Sequence, residues 1–275
     1  MRIHTSVLLL AGIALTGAAS AVHAQAREEG RLLVAGQVLD ELRGGRDEVI
    51  PDRLLERAYG IAVIPDLTKV AFFAGGRRGH GVLVVRDRQG RFTSPVFITM
   101  TGGSFGWQWG VQSADIVLVF TTPKGVEGIS GGKVTLGADA SVAAGPVGRQ
   151  ASAATDPTFK AEVYSYSRSR GVFAGLALDG TVISIDDDAD AAFYGKPGIA
   201  AGDLLSGSIT SSDDAARRFM TAVASSTGTQ RSASAAGSAT SPAPAGAAVP
   251  ASPAAPATAA QSFPLADPKP GSEPK

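Results

Sequence analysis

Residues 104–112 read Ser104-Phe105-Gly106-Trp107-Gln108-Trp109-Gly110-Val111-Gln112. A period of two divides them into unlike faces. Phe105, Trp107, Trp109 and Val111 share one face, and Ser104, Gly106, Gln108, Gly110 and Gln112 share the other. This alternation predicts one strand whose aromatic face fills a core or meets an apolar partner, while its glycines let another backbone approach closely. The run Ile116 to Phe120 that follows is wholly apolar and reads as a strand covered on both sides.

Working outward, the same signals recur. Ile61 to Ile64 is an apolar run closed by Pro65-Asp66, and Val70 to Ala74 is another closed by Gly75-Gly76. Gly81 to Val85 and Arg91 to Met100 flank Asp87-Arg88-Gln89-Gly90, which has hairpin composition. Lys133 to Ala143 and Glu162 to Ser167 alternate again. Val172 to Leu178 and Thr181 to Ile185 enclose Asp179-Gly180, the strongest short hairpin signal in the chain.

Helical spacing is confined to the flanks. Arg31 to Leu42 places Leu32, Leu33, Val38, Leu39 and Leu42 at helix-compatible intervals, ended by Gly44-Gly45. A short helix follows Pro51, with Leu54, Leu55 and Ala58 on one side. A last helix begins near Ser211 or Ser212 and buries Phe219, Met220 and Val223. The expectation is an α+β fold: a single β-rich domain of mainly antiparallel short strands with N-terminal and C-terminal helices. Regular βαβ alternation is absent, which disfavours a doubly wound nucleotide-binding fold.

Both ends of the 275-residue chain read as something other than this domain. Residues 1–24 carry Arg2, the apolar run Val7 to Leu15 and the small-residue site Val22-His23-Ala24, the pattern of a secretory signal. The apolar run is too short to span a bilayer, which takes about 20 residues. From 225 to 275 the composition collapses to Ala, Pro, Ser, Gly and Thr, too poor in large apolar groups to offset the entropy of ordering. The domain is therefore expected over residues 25–224, in a protein exported to the periplasm or beyond.

Composition excludes several chemistries. The chain has no cysteine, so disulfide scaffolds, thiolate metal sites and thiol nucleophiles are ruled out. His4 and His23 fall in the signal segment and leave His80 as the one histidine of the mature chain. A Ser-His-Asp hydrolase would have to use it, yet no nucleophile motif accompanies it, and its neighbours Gly79 and Gly81 point to a turn or sheet edge. No catalytic residue, metal ligand or cofactor is assigned, and the chain reads as a non-enzyme. Lys+Arg and Asp+Glu balance at 25 each, which argues against nucleic acid as a partner.

Three local patterns remain. Gly75-Gly76-Arg77-Arg78-Gly79-His80-Gly81 lacks the spacing of a phosphate-binding loop and reads as a tight turn between strands. Asp186-Asp187-Asp188-Ala189-Asp190 offers oxygen ligands for calcium but not the calcium-loop pattern, and capping of a helix N-terminus explains it more simply. Between Lys69 and Arg91 the basic residues are Lys69, Arg77, Arg78, Arg86, Arg88 and Arg91, against Asp87 alone. Overall neutrality thus hides a positive segment suited to an anionic membrane surface.

The ordered blocks of this chain resemble the SYLF domain, also called the yeast-type actin-binding domain. They are Ile61-Ala62-Val63-Ile64-Pro65; Lys69 with Phe72, Gly75, Gly76, Gly79, Gly81, Val82 and Arg86; Ser94-Pro95; Gly103-Ser104-Phe105-Gly106 with Gln108 and Gly110; and Asp115-Ile116-Val117. Gly137-Ala138-Asp139, Ala144 to Gly148, Tyr164 to Gly175 and Phe193-Tyr194-Gly195 complete the series. The resemblance implies a lipid-binding module whose eukaryotic relatives bind phosphoinositides and in part bundle actin. It points to Leu32, Leu33, Leu39 and Leu42 for a membrane-contacting helix, and to Lys69, Arg77 and Arg78 for head groups. With a signal peptide, the expected partner is an anionic membrane lipid of the bacterial envelope, such as a phospholipid or lipopolysaccharide phosphate. An envelope protein is the alternative partner, and actin is not expected for an exported chain.

Overall fold

The computed structural model describes residues 23–41, 50–71, 74–105, 110–146, 160–169, 172–176 and 178–228. β-branched residues recur along the central strands, and successive residues alternate between the two faces of one sheet. The strands are β1 (Gly60–Ala71), β2 (Ala74–Val85), β3 (Val96–Phe105), β4 (Gly110–Phe120), β5 (Lys133–Thr135), β6 (Val142–Ala144), β7 (Val163–Ser169), β8 (Val172–Gly175) and β9 (Thr181–Ile185). Their order across the sheet is β5-β9-β3-β2-β1-β4-β7-β6, with β8 also on β7. Among these strand pairs, β6–β7 alone is parallel. The helices are α1 (residues 23–41), α2 (Asp52–Glu56), α3 (Lys124–Ser130), α4 (Asp187–Tyr194), α5 (Ala201–Leu205) and α6 (Asp214–Ser226). The expected α+β class, mainly antiparallel with helices at both ends, is what the chain adopts.

Alternate residues of β1 serve two cores. Ile61 and Val63 face Leu32, Leu39, Leu54 and Phe219 of the helices. Ala62 and Ile64 face inward with Leu83, Ile98, Leu118 and Ile183, enclosed by the sheet itself. Each fully buried aliphatic side chain stabilises by about 1.5–3 kcal/mol. Helices as short as α2, five residues long, are thus held by the sheet rather than by propensity. At the other end, Asp213 caps α6 by accepting the Ala215 and Ala216 amides at 2.8 and 3.1 Å.

Several strand boundaries differ from the sequence reading, each for a physical reason. Pro65-Asp66 does not close a strand: β1 runs through it with a bulge, the register shifting between Ile64 and Leu67. Asp66 takes φ 50° there, and its amide donates to Asp115 Oδ1 at 3.1 Å. Gly75 to Gly81 is not a turn but part of β2. A Cβ at Gly81 would lie 2.5 Å from the Val63 carbonyl oxygen, and one at Gly79 would lie 2.7 Å from Ile64 Cγ2. Glycine is there to let β2 close on the bulge. The alternating stretch 104–112 is not one strand either. Phe105 ends β3 beside Ala74, and Gly110 starts β4 beside Ala71, so the stretch is divided between two strands. Trp107 and Trp109 lie outside the described residues.

Asp179-Gly180 forms a turn, with Gly180 at φ 72°, but not the expected hairpin. β8 pairs with β7, and β9 pairs with β3 and β5. Between β8 and β9 lie six inter-strand spacings, about 29 Å in a flat sheet. The connecting residues 176–180 reach only about 20 Å. The sheet must curl until its edges approach, and that curl encloses the inner core. Lys133 to Ala143 likewise splits into β5 and β6 around Gly137 at φ 87°.

Candidate ligand-binding surface

Past the bulge, β1 presents Lys69 directly across from Arg77 of β2, and Thr68 across from Arg78. Arg78 is exposed, while Lys69 and Arg77 are half-buried. The three cations thus meet at the hairpin end of β1 and β2, Lys69 and Arg77 on one face of the sheet and Arg78 on the other. Arg77 lies over Gly102, where a Cβ would stand 2.8 Å from its Nε and 3.1 Å from Thr181 Oγ1. Both polar atoms are buried with no hydrogen-bond partner among the described residues. Burial lowers the Arg77 pKa, against the opposing pull of Asp179, yet arginine stays charged at any physiological pH. Among the described residues, none of these three side chains forms an ion pair.

The other members of the basic segment lie elsewhere. Arg78 and Arg86 are eight residues apart on one extended stretch, about 26 Å, so the segment divides into two groups. Arg86 is committed to its own fold: Nε donates to Ala58 O at 2.8 Å and Nη1 to Gly90 O at 2.7 Å. Its guanidinium also sits 4.4 Å from the Phe92 ring centre. Arg91 pairs with Asp87 at 3.2 Å. Burial pushes Asp87 up, but the Arg91 and Gln89 amides and the Arg91 side chain outweigh it, and its pKa falls. Arg88 is exposed.

The expected membrane-contacting leucines also separate. Leu32 and Leu39 have 0% exposure and belong to the helix-side core. Leu33 is 43% exposed beside Val34 at 41%. Leu42 lies outside the described residues.

A second polar group sits between α1, β2 and the start of α4. Asp186 caps α4, accepting the Ala189 amide at 3.3 Å, which is the capping role expected of the acidic run. It also meets His80 Nδ1 at 3.1 Å and Arg31 Nη1 at 3.7 Å. His80 therefore stands inside a strand of the sheet, held by a carboxylate, and not in a turn. Arg31 lies 5.4 Å from the Phe97 ring centre. Burial lowers its pKa, opposed by Glu28 and Asp186. No cluster of three or more His, Asp or Glu able to hold a metal ion occurs among the described residues. Sequence reasoning took Asp190 only as part of the acidic run and missed Glu28 and Arg31. The spacing of Glu28 and Arg31, one helical turn apart, was the one signal available.

The family model described as "Ysc84: Las17-binding protein actin regulator" matches residues 101–226. Just under half of the chain thus matches this family, in line with the SYLF resemblance of its sequence blocks. "LAS seventeen-binding protein 3" of Saccharomyces cerevisiae is 40% identical over 168 residues, 60% of this chain and 36% of the yeast protein. "Protein YSC84" of the same yeast is 40% identical over 154 residues, 55% of this chain and 33% of that protein. "SH3 domain-containing YSC84-like protein 1" of Xenopus laevis is 33% identical over 168 residues, 61% of this chain and 50% of the frog protein. The chain thus spans between about a third and a half of these relatives' lengths. The family match starts in β3 and runs to the end of α6, so it includes Asp186 and Asp190. Lys69, Arg77 and Arg78 precede it.

Proposed function

We propose that this SYLF-like domain is a non-enzymatic binding module that docks on an anionic membrane surface through Lys69, Arg77 and Arg78. The observation that carries the reading is that three cations stand at one end of the sheet, two on one face and one on the other, with no acid paired to them among the described residues. In contrast, Arg86, Arg91 and Arg168 are already committed to carbonyls or carboxylates. Each cation near an anionic bilayer contributes about 1 kcal/mol, so three together strengthen binding by about a hundredfold. The cations flank both faces of one sheet end rather than line a cleft, so an end-on approach brings all three to a lipid phosphate array at moderate salt. With the signal-like segment at 1–24, the site of action is the envelope, peripheral to the membrane. Among the described residues, no helix is long and apolar enough to cross a membrane.

A second reading has its own support. The family description and the yeast relative's name speak of binding the protein Las17, and by analogy the same surface would take an acidic protein partner of the envelope. Vesicle co-sedimentation separates the two. The lipid reading expects binding to vesicles containing phosphatidylglycerol, little to phosphatidylcholine alone, and loss on Arg77→Glu with Arg78→Glu. Equal binding to both vesicle types, or no binding together with recovery of one stoichiometric protein by cross-linking in cells, refutes it.

A further inference from the structure

Glu28 of α1 and Asp190 of α4 are both at 0% exposure. Asp190 Oδ1 accepts the Phe97 amide at 2.9 Å, but its Oδ2 is buried with no hydrogen-bond partner among the described residues. Glu28 Oε2 is in the same position. Arg31 Nη2 lies 2.9 Å from it as an ion contact, without hydrogen-bond alignment. Two carboxylate oxygens are thus sealed from water: Glu28 Oε2 against the Arg31 guanidinium, and Asp190 Oδ2 with no partner among the described residues.

The charged and titratable groups around them come from every packed element. α1 supplies Arg31 and Arg27, the latter reaching Glu28 Oε1 at 2.9 Å from an exposed position. β2 supplies His80, already bonded to Asp186, and β3 supplies the Thr99 hydroxyl, 3.4 Å from Asp186 Oδ2. The start of α4 supplies Asp186 and Asp187, and its end supplies Tyr194. With all carboxylates ionised and His80 neutral, Glu28, Asp186, Asp187 and Asp190 would face only Arg27 and Arg31. A dry site resolves such an excess by keeping a proton on its most buried carboxyl.

We propose that Asp190 holds a proton on its buried carboxyl, and that this proton latches α1 onto α4 and β3. The electrostatics agree in direction. Burial is the main cause; it outweighs the Phe97 amide and, with the charges of Asp187, Asp186 and Glu28, pushes Asp190 up to about 7 from 3.8. A released α1 would return Asp190 to water and to its ordinary value. Between about pH 4 and pH 7 the latched form therefore holds a proton that the released form lacks. Latching weakens by up to about tenfold per pH unit across that window and levels off above it. Release uncovers Leu32, Ala35, Val38 and Leu39, all buried at present. The fold thus couples pH to the exposure of an apolar helix face, whatever ligand the basic end takes.

Hydrogen exchange of the full chain tests this, with α1 peptides followed from about pH 5 to pH 8 and corrected for intrinsic exchange. The expected result is a fall in α1 protection of about ten- to a hundredfold between pH 5 and pH 7, then a plateau, with β1–β2 peptides unchanged. Asp190→Asn, neutral at every pH, should abolish the slope. Flat wild-type protection, or an unchanged slope in Asp190→Asn, overturns the latch. If that variant fails to fold, the carbon-13 shift of the wild-type Asp190 carboxyl decides. Titration near pH 7 upholds the proton on Asp190, and titration below about pH 5 overturns it.

Discussion

Replacing Gly81 by alanine adds one methyl group at the tightest backbone approach described in the sheet. The new Cβ would stand 2.5 Å from Val63 O, 2.7 Å from Ile64 Cγ1 and 3.1 Å from Ile64 Cα. Two of these atoms are backbone of β1, which is laddered on both sides to β2 and β4, so neither can yield without disturbing hydrogen bonds in two pairings. Overpacking by one methyl costs about 1–3 kcal/mol, and with fixed backbone as the obstacle the upper part of that range applies. The alanine recovers about 0.4–1 kcal/mol by restricting the unfolded chain. The net loss is about 2 kcal/mol, or roughly 4–8 °C in Tm for a domain of this size. Gly76 is the matched control: it occupies the same strand, and a Cβ there would meet nothing within 4 Å among the described residues. Gly76→Ala should be neutral or slightly stabilising. Urea denaturation of both variants, with midpoint and slope compared to wild type, makes the measurement. If Gly81→Ala falls within about 0.5 kcal/mol of Gly76→Ala, the scatter of benign surface changes, the close packing of β2 on the bulge is wrong.

The remaining predictions concern single interactions. Arg86→Lys keeps the charge but loses the fork that reaches Ala58 O and Gly90 O; it should cost about 1–3 kcal/mol in urea unfolding while leaving vesicle binding unchanged. Asp213→Ala removes the acceptor for two α6 amides and should cost about 1 kcal/mol, with Asp213→Asn close to wild type. Tyr194→Phe deletes the hydroxyl that donates to Pro95 O at 2.6 Å and should cost about 1 kcal/mol by thermal unfolding.

The strands were legible where a run is apolar throughout or alternates with its partner. Ile116 to Phe120 is buried at every position, as its composition implies. The hairpin at Asp87 to Gly90 forms with Gly90 at φ 77°. Glycine and proline misled in both directions, because their local meaning depends on what lies across the sheet. Gly79 and Gly81 read as turn residues until Ile64 is placed against them. Pro65 reads as a stop until the bulge is paired with Ser113 and Asp115 of β4. The Asp179-Gly180 signal is purely local, and it cannot show that β8 is claimed by β7.

The site was legible in part. The count of cations between Lys69 and Arg91 was visible, but not that Arg86 turns into the fold or that about 26 Å of strand separates the two groups. The leucines of α1 obey helical spacing, and spacing alone does not say whether a face meets a core or a ligand. Burial of Glu28 and Asp190 was invisible because charged residues are ordinarily solvated. Only the meeting of α1 and α4 across β3 removes them from water.

The most direct test compares the two ends of the basic segment at equal change in net charge. Arg77→Glu with Arg78→Glu and Arg88→Glu with Arg91→Glu are each titrated with phosphatidylglycerol-containing vesicles at about 0.15 M salt, where screening sets in beyond about 8 Å, after circular dichroism has shown that both remain folded. The account predicts that the first pair loses vesicle affinity by about a hundredfold and that the second stays near wild type. Equal losses from both pairs, or a greater loss from the second, would contradict it.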